Sequence, residues 1–301
     1  MVRRLSMPTG QPNVARLLRL ALAQRGVRRI ARTLSDWIDL QWSLLVSAIE
    51  RVAPEARGRL LDVGCGDKPY EHLFRPFVRE YVGVEHEATF RQTSAQSRTK
   101  GPDVVYDGTT LPFENESFDT VMSIQVLEHT PEPGHLVAEM ARVLKREGVL
   151  ILAAPFSFRL HEEPHDYFRY TPHGLGVLCD QAGLRIDRIE RVGHLWSLLG
   201  HKMNSFLGLE VARMGGVAQS MGKLGHESAA SQKNRFWLLP LVAPAMLGIA
   251  AGARVLDRAL PDAQEALGFL VVARRVDSVR GERRTLPASP PPGSGAVSGD
   301  R

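Results

Sequence analysis

The chain has 301 residues, 44% of them hydrophobic and 24% charged, the balance of a soluble globular protein. That composition excludes a wholly disordered chain and a polytopic membrane protein, and the aperiodic glycines exclude a collagen-like fibre. Two cysteines, Cys65 and Cys179, are too few for a disulfide framework or a four-thiolate metal site, and they suit a reducing compartment.

The formal net charge of +5 is unevenly placed. Residues 1–34 hold eight arginines and no acid, and the rest of the chain carries 30 basic and 33 acidic residues. The body therefore lacks the basic surface that nucleic acid requires, and no nucleic-acid partner is expected. In the arm, Asn13 is a good N-cap for a helix with Val14, Leu17, Leu18, Ala21 and Leu22 on one face and Arg16 and Arg19 off it. Three readings stay open: a helix on an anionic membrane surface, a solvated or docked arm, and an organellar transit peptide. Residues 1–30 have no apolar core followed by a small-residue cleavage site, so no secretory signal is read. The expected location is the cytoplasm, with peripheral membrane contact as the alternative.

Helical spacing of Trp37, Ile38, Leu40, Leu44, Leu45, Ala48, Ile49 and Val52 predicts a helix over 35–53, ended by Pro54 and Gly58. Short apolar runs then predict strands at 59–63, 80–84, 103–106 and 118–124, with a helix over 70–78 between the first two. A helix follows over 133–145, then a strand at 149–154 after the Glu147-Gly148 turn. Thr171 caps a helix with Pro172 at its first position; Gly183 ends it, and a strand runs over 184–189. The last strand is 267–273. Alternating strands and helices imply an α/β fold: a seven-stranded, mostly parallel sheet with helices on both faces and a helical insertion before the last strand. Ligands of such sheets bind at the carboxyl ends of the strands.

The first strand runs into Asp62-Val63-Gly64-Cys65-Gly66-Asp67, where glycines let a ligand approach the backbone. Glu85 ends the second strand, where a carboxylate can accept both hydroxyls of a ribose. Asp107 follows the third. The third glycine of a dinucleotide turn would fall at position 69, which is Pro69, so a pyrophosphate cradle is not expected. Cys65 reads as a small wall residue, since no base partner is evident.

The stretches LLDVGCG (60–66), YVGVE (81–85), DGTTLPFENESFDTVMS (107–123), VLEH (126–129), EMARVLKREGVLILAAP (139–155) and QAGL (181–184) together resemble the class I S-adenosylmethionine-dependent methyltransferases, in the manner of methyltransferase type 11. The resemblance covers about 125 residues. It implies S-adenosylmethionine as cofactor, with Gly64 and Gly66 under its methionine part and Asp62 organising the turn. Glu85 would bind the ribose and Asp107 the adenine amine with Gly108 beside it. Leu111 would line the adenine pocket and Gln125 would border the transferable methyl. The family usually has Asp at position 85 and often a glycine at position 68; this chain has Glu85 and Lys68.

After the fifth strand, residues 155–171 gather two histidines, three acids, two tyrosines and two arginines where an acceptor would sit. His161, His165 and Asp166 are the candidate bases for a hydroxyl acceptor, with His129 behind them, and Tyr167 and Arg169 could position a polar or anionic group. A structural lid whose polar groups satisfy each other is the alternative. His161-Glu162-Glu163-Pro164-His165 matches the zinc-protease pattern in letters only, because Pro164 keeps the span from forming the helix that pattern needs, and no metal is expected.

Phe236 to Ala253 is an uncharged stretch of 18 residues. A single membrane span is disfavoured by topology, because the strands before and after it must join one sheet and a return span would be needed. A lid, a buried packing helix or a monotopic membrane contact remain. The expected organisation is an arm at 1–34, a methyltransferase domain at 35–277 with an insertion or lid at 194–266, and a disordered tail at 278–301. The expected activity is methyl transfer to a small-molecule, glycan or lipid-linked acceptor, at oxygen before carbon. The alternatives are a non-catalytic cofactor-binding scaffold and a nicotinamide oxidoreductase. Oligomeric state is not read from the sequence.

Overall fold

The structure, a computed structural model, describes residues 33–94, 101–211, 235–262 and 264–276. The expected arm and tail lie outside these residues, apart from 33 and 34. The fold is a seven-stranded sheet in the order β3-β2-β1-β4-β5-β7-β6. Its strands are β1 (Arg59–Val63), β2 (Glu80–His86), β3 (Val104–Tyr106), β4 (Phe118–Ile124), β5 (Leu144–Pro155), β6 (Leu184–Val192) and β7 (Gly268–Arg275). The helices are α1 (Leu40–Val52), α2 (Glu71–Phe74), α3 (Glu87–Ser94), α4 (Pro133–Val143), α5 (Pro172–Gln181), α6 (Leu195–Ser205) and α7 (Leu239–Ala259).

Strand order reverses at β1, which pairs in parallel with both β2 and β4. Chain connections leave the two strands in opposite directions there, so a crevice opens at their carboxyl ends. Alternate residues of β1 serve opposite cores. Leu61 and Val63 pack with Leu136, Val137 and Met140 of α4 and with Leu175 of α5. Leu60 packs with Leu45, Ile49 and Val52 of α1 and with Phe74. Helices thus cover both faces.

Three boundaries differ from the sequence reading, and one strand direction is added to it. Asp39 interrupts the first helix: its side chain accepts from the Trp42 amide at 3.1 Å, so α1 starts at Leu40 and a separate short helix covers 33–38. The helix expected over 70–78 is the single turn α2. The fifth strand begins at Leu144, which pairs with Phe118 before an irregularity that takes in Glu147 at φ 55°. Finally, β7 runs antiparallel to both β5 and β6. The two intervening helices explain that direction: α6 and α7 pack antiparallel, Gly200 against Ala253 and Asn204 against the Met246 carbonyl at 3.2 Å. An even number of passes returns the chain to the edge it left.

The remaining helix ends follow local chemistry. Thr171 caps α5 by accepting from the Gly174 amide at 3.0 Å, and Gly183 stops it at φ 72°. Asp119, at the amino end of β4, accepts from the Arg59 amide at 2.8 Å and from Lys145 at 2.8 Å. It is a structural tie on the edge of the sheet opposite the crevice.

Candidate functional site

The turn after β1 is built on three left-handed residues: Gly64 at φ 74°, Gly66 at φ 49° and Lys68 at φ 56°. A Cβ on Gly64 would stand 2.4 Å from Val126, whereas one on Gly66 would meet nothing within 4 Å. Gly64 is therefore packed against the chain and Gly66 faces open space. Lys68 keeps the backbone shape that glycine adopts more easily. Its stem covers Gly83 beside Cys65, and its ammonium meets Asp103 at 2.6 Å. The strained conformation at Lys68 is offset by this anchoring. Replacing Gly64 by alanine forces both a positive φ and a clash, and we expect about 2 kcal/mol or more of lost stability in urea denaturation.

Beneath the turn, Asp62 is buried and accepts from the Tyr81 hydroxyl at 2.6 Å. Burial pushes its carboxyl up to about 7, against the pull of that hydrogen bond. Asp62 supports the turn and does not reach the open crevice. Cys65 is free, and burial raises its thiol, so it is a wall residue.

Glu85 joins turn to crevice. One carboxylate oxygen accepts from the Gly66 amide at 2.8 Å and the other from the His86 amide at 2.9 Å. An anion is thus held at the carboxyl end of β2, next to the open space over Gly66. Asp107 is exposed; one oxygen accepts from the amide and hydroxyl of Thr109, and these bonds lower its carboxyl. Gly108, at φ 89°, admits the His86 ring at a distance no side chain would allow. Gln125, at φ 57°, follows β4 with its amide bonded to the Ala153 carbonyl at 2.8 Å. Leu111 departs from expectation. It is 1% exposed within the core, and its amide donates to Glu139 at 2.9 Å. It shapes the wall from behind and offers no surface to a ligand.

The loop after β5 folds back over the segment that follows β4. The Tyr167 amide donates to the Glu128 carbonyl at 2.8 Å, and the Tyr170 hydroxyl to the Leu127 carbonyl at 2.9 Å. Asp166 is the loop's anchor. It holds Arg169 through two bonds of 2.6 and 2.7 Å, accepts from the His161 amide at 3.0 Å and stands 3.2 Å from His161 Nδ1. Burial works against its charge, but Arg169 and the His161 amide outweigh this and bring the carboxyl down to about 2. With its side chain 1% exposed, Asp166 positions His161 and does not itself face an acceptor.

His161 lies edge-on to His129, ring centres 4.7 Å apart. Burial, followed by repulsion from His129, lowers its pKa, so the ring is neutral at pH 7. His129 Nδ1 lies 2.8 Å from the His165 carbonyl, which places the proton on that nitrogen. The His165 imidazole instead faces the Tyr167 hydroxyl at 3.0 Å. Of the candidate histidines, His161 thus lies against His129, and His165 lies against Tyr167.

Glu128 completes the cluster and was not assigned a role from the sequence. It is 0% exposed, and its carboxylate oxygens have no hydrogen-bond partner beyond its own backbone amide. Ligand atoms of Glu128, His129 and His161 lie within 4.8 Å of one another. Burial pushes the Glu128 carboxyl up to about 8. Its acid, standing in an apolar run directly after β4, was the available signal. A raised carboxyl stabilises the fold fully below its unfolded value near 4.5 and loses that contribution as pH rises through about 8. We expect the wild type to lose stability between pH 5 and 8 (order-of-magnitude window) relative to Glu128→Gln, measured by urea denaturation at stepped pH.

Residues 61–152 match the family model described as a methyltransferase domain. With the reversal of strand order at β1, the glycine turn and Glu85, this stretch is similar to the class I S-adenosylmethionine-dependent methyltransferases, whose cofactor is S-adenosylmethionine. Over 132 residues the chain is 33% identical to an uncharacterized methyltransferase of Mycobacterium tuberculosis, covering 43% of this chain and 52% of that protein. Over 94 residues it is 36% identical to an uncharacterized methyltransferase of Mycobacterium sp. (strain JLS), covering 31% and 37%. The chain thus spans about half or less of the length of these curated relatives. Among solved structures, a SAM-dependent methyltransferase from Archaeoglobus fulgidus matches with a TM-score of 0.43 at 17% identity, covering 77% of this chain and 93% of that one. The [4+2]-cyclase SpnF matches with a TM-score of 0.44 at 21% identity, covering 76% and 80%.

Proposed function

We propose that the protein transfers a methyl group from S-adenosylmethionine to a hydroxyl oxygen of an acceptor held under the loop after β5. The observation that carries this reading is Glu85, a carboxylate fixed by two backbone amides beside the open space over Gly66. Such an anion suits ribose hydroxyls and repels a phosphate, and the turn has no third glycine. The residues present therefore fit a nucleoside without phosphate. In this reading residues 35–277 form the methyltransferase domain, with α6 and α7 as its insertion. Gly64 and Gly66 underlie the methionine part, Asp107 and Gly108 meet the adenine, and Gln125 borders the methyl. Leu111 acts only as backing.

When bound, the sulfonium supplies a methyl already activated for in-line displacement, so the chain mainly orients and deprotonates the acceptor. His161 is the base. Its neutral ring accepts the hydroxyl proton at Nε2 while Nδ1 donates to the Arg159 carbonyl at 3.2 Å, and Asp166, 3.2 Å from the same nitrogen and held by Arg169, stabilises the imidazolium. Glu128, protonated near pH 7, keeps negative charge away from His129 and His161. His165 serves through its carbonyl, which fixes the His129 ring. The acceptor is a glycan, a small molecule or a lipid-linked compound, and the setting is the cytoplasm, with peripheral membrane contact.

The test uses S-adenosylmethionine labelled in the methyl group and an extract of cells lacking this gene. Label that enters an acceptor, resists alkali and is identified in the purified product as O–CH3 by NMR shows an ether, the product of hydroxyl methylation, whereas label on nitrogen or carbon contradicts the reading. Label released by alkali as methanol shows an ester and contradicts the reading.

A further inference from the structure

A cavity of about 300 Å³ lies between the loop after β5 and α6, lined by Arg159, His201, Lys202, Ser205 and Phe206. It adjoins the site through Phe158, whose ring is edge-on to His161 at 4.8 Å and stacked on His201 at 5.3 Å. Among the described residues, neither the Arg159 nor the Lys202 side chain makes an ion pair or a hydrogen bond. Two cations thus face one cavity without an anion.

The outer surface beside that cavity is apolar. On α6, Leu199, Met203 and Phe206 are exposed at helical spacing. On α7, Leu241, Ala245, Gly248, Ala251 and Val255 form an outward stripe at three- and four-residue intervals, and Trp237, 76% exposed, stands before its start. Only Val242, Ala250 and Ala253 of α7 are buried, so the alternative of a buried packing helix is set aside. The helix is long and apolar enough to cross a membrane, yet its inner side is docked on α6 and it leads into β7 of the same sheet as β6. It lies along a surface.

Residues 212–234, which join α6 to α7, hold Arg213, Lys223 and Lys233 against the single acid Glu227, and residues 1–32 hold eight arginines and no acid. An occupant complementary to the two cations and to the exposed stripe is both anionic and apolar.

We propose that Arg159 and Lys202 bind the phosphate of a lipid in a bilayer surface, with the outer faces of α6 and α7 set among its acyl or isoprenoid chains, so that a lipid-phosphate-linked acceptor presents its hydroxyl to His161. The acceptor role rests on the methyl transfer proposed above; the binding of the lipid phosphate does not. An anionic headgroup meets the two cations while the uncharged stripe replaces water with hydrocarbon, the arrangement of an interfacial helix. Phe158 then spans the distance from phosphate site to base.

The experiment is sedimentation of the full-length, untagged protein with vesicles of phosphatidylcholine, with and without phosphatidic acid. Two variants are compared: Arg159→Ser with Lys202→Ser, and Trp237→Ser with Leu241→Ser. Binding to the acidic vesicles should fall about 30-fold in the first at low salt, and at least about tenfold in the second. Both variants keep the arginine-rich arm, so undiminished binding in both would assign the contact to that arm and overturn the proposal. Saturation by inorganic phosphate with no preference for vesicles would overturn it as well, as would self-association through the α7 stripe without vesicle binding. Binding of S-adenosylhomocysteine to the wild type is read separately: its absence would sink the methyl-transfer reading while leaving the lipid site to stand or fall on the vesicles.

Discussion

Glu85→Ala is expected to weaken S-adenosylhomocysteine binding by more than about 100-fold, as read by equilibrium dialysis. Two losses combine. The ribose hydroxyls lose an ionised acceptor, and the Gly66 and His86 amides lose the carboxylate that fixes them at 2.8 and 2.9 Å. A hydrogen bond to a charged group contributes roughly twice as much as a neutral one, and a buried amide left without partner costs more still. Glu85→Gln keeps the shape but points an amide donor at one of two backbone donors, so it should lose nearly as much. Glu85→Asp, the residue the family usually carries, should recover part of the affinity. A Glu85→Ala protein that binds as tightly as the wild type would show that the ligand does not touch this edge of β2.

His161→Ala is expected to lower kcat by about 10² to 10³ while leaving S-adenosylhomocysteine affinity unchanged, because the ring stands on the acceptor side. Asp166→Asn separates positioning from proton transfer. The imidazole loses the anion that lies beside Nδ1 and stabilises its charged form, so kcat should fall by about tenfold or more with little change in acceptor KM. The acidic limb of the pH profile should move to lower pH, since removing a neighbouring anion makes His161 harder to protonate. A merely structural role for Asp166 would lower the amount of folded enzyme and leave the pH profile of the remainder in place. Arg169→Lys, which keeps charge but not the two-bond fork, should fall between wild type and Asp166→Asn.

Much of the fold was legible because its signals are local. Arg59–Val63 and Phe118–Ile124 stand where the apolar runs put them, and Thr171, Pro172 and Gly183 bound α5 through chemistry that needs no distant partner. The direction of β7 was not legible in detail, because it depends on how many helical passes separate it from β6. The break at Asp39 hid inside a helical pattern, since an acid on the polar side of a helix also reads as a cap. At the site, Asp62, Glu85 and the glycines occupy the ends of β1 and β2 where their order placed them. The pairing of Glu128 and His129 with His161 joins two loops that meet only when β4 and β5 lie side by side. Leu111 shows a different limit: a position beside a pocket in the chain is not a position facing it.

The most direct test of the account is calorimetric titration of the purified protein with S-adenosylhomocysteine, with NADH as the comparison ligand. A saturable site for S-adenosylhomocysteine and no heat from NADH is the predicted result, since the edge formed by Gly66 and Glu85 takes a ribose and has no cradle for pyrophosphate. Binding of NADH in its place would contradict the account, and the absence of binding by either ligand would contradict it equally.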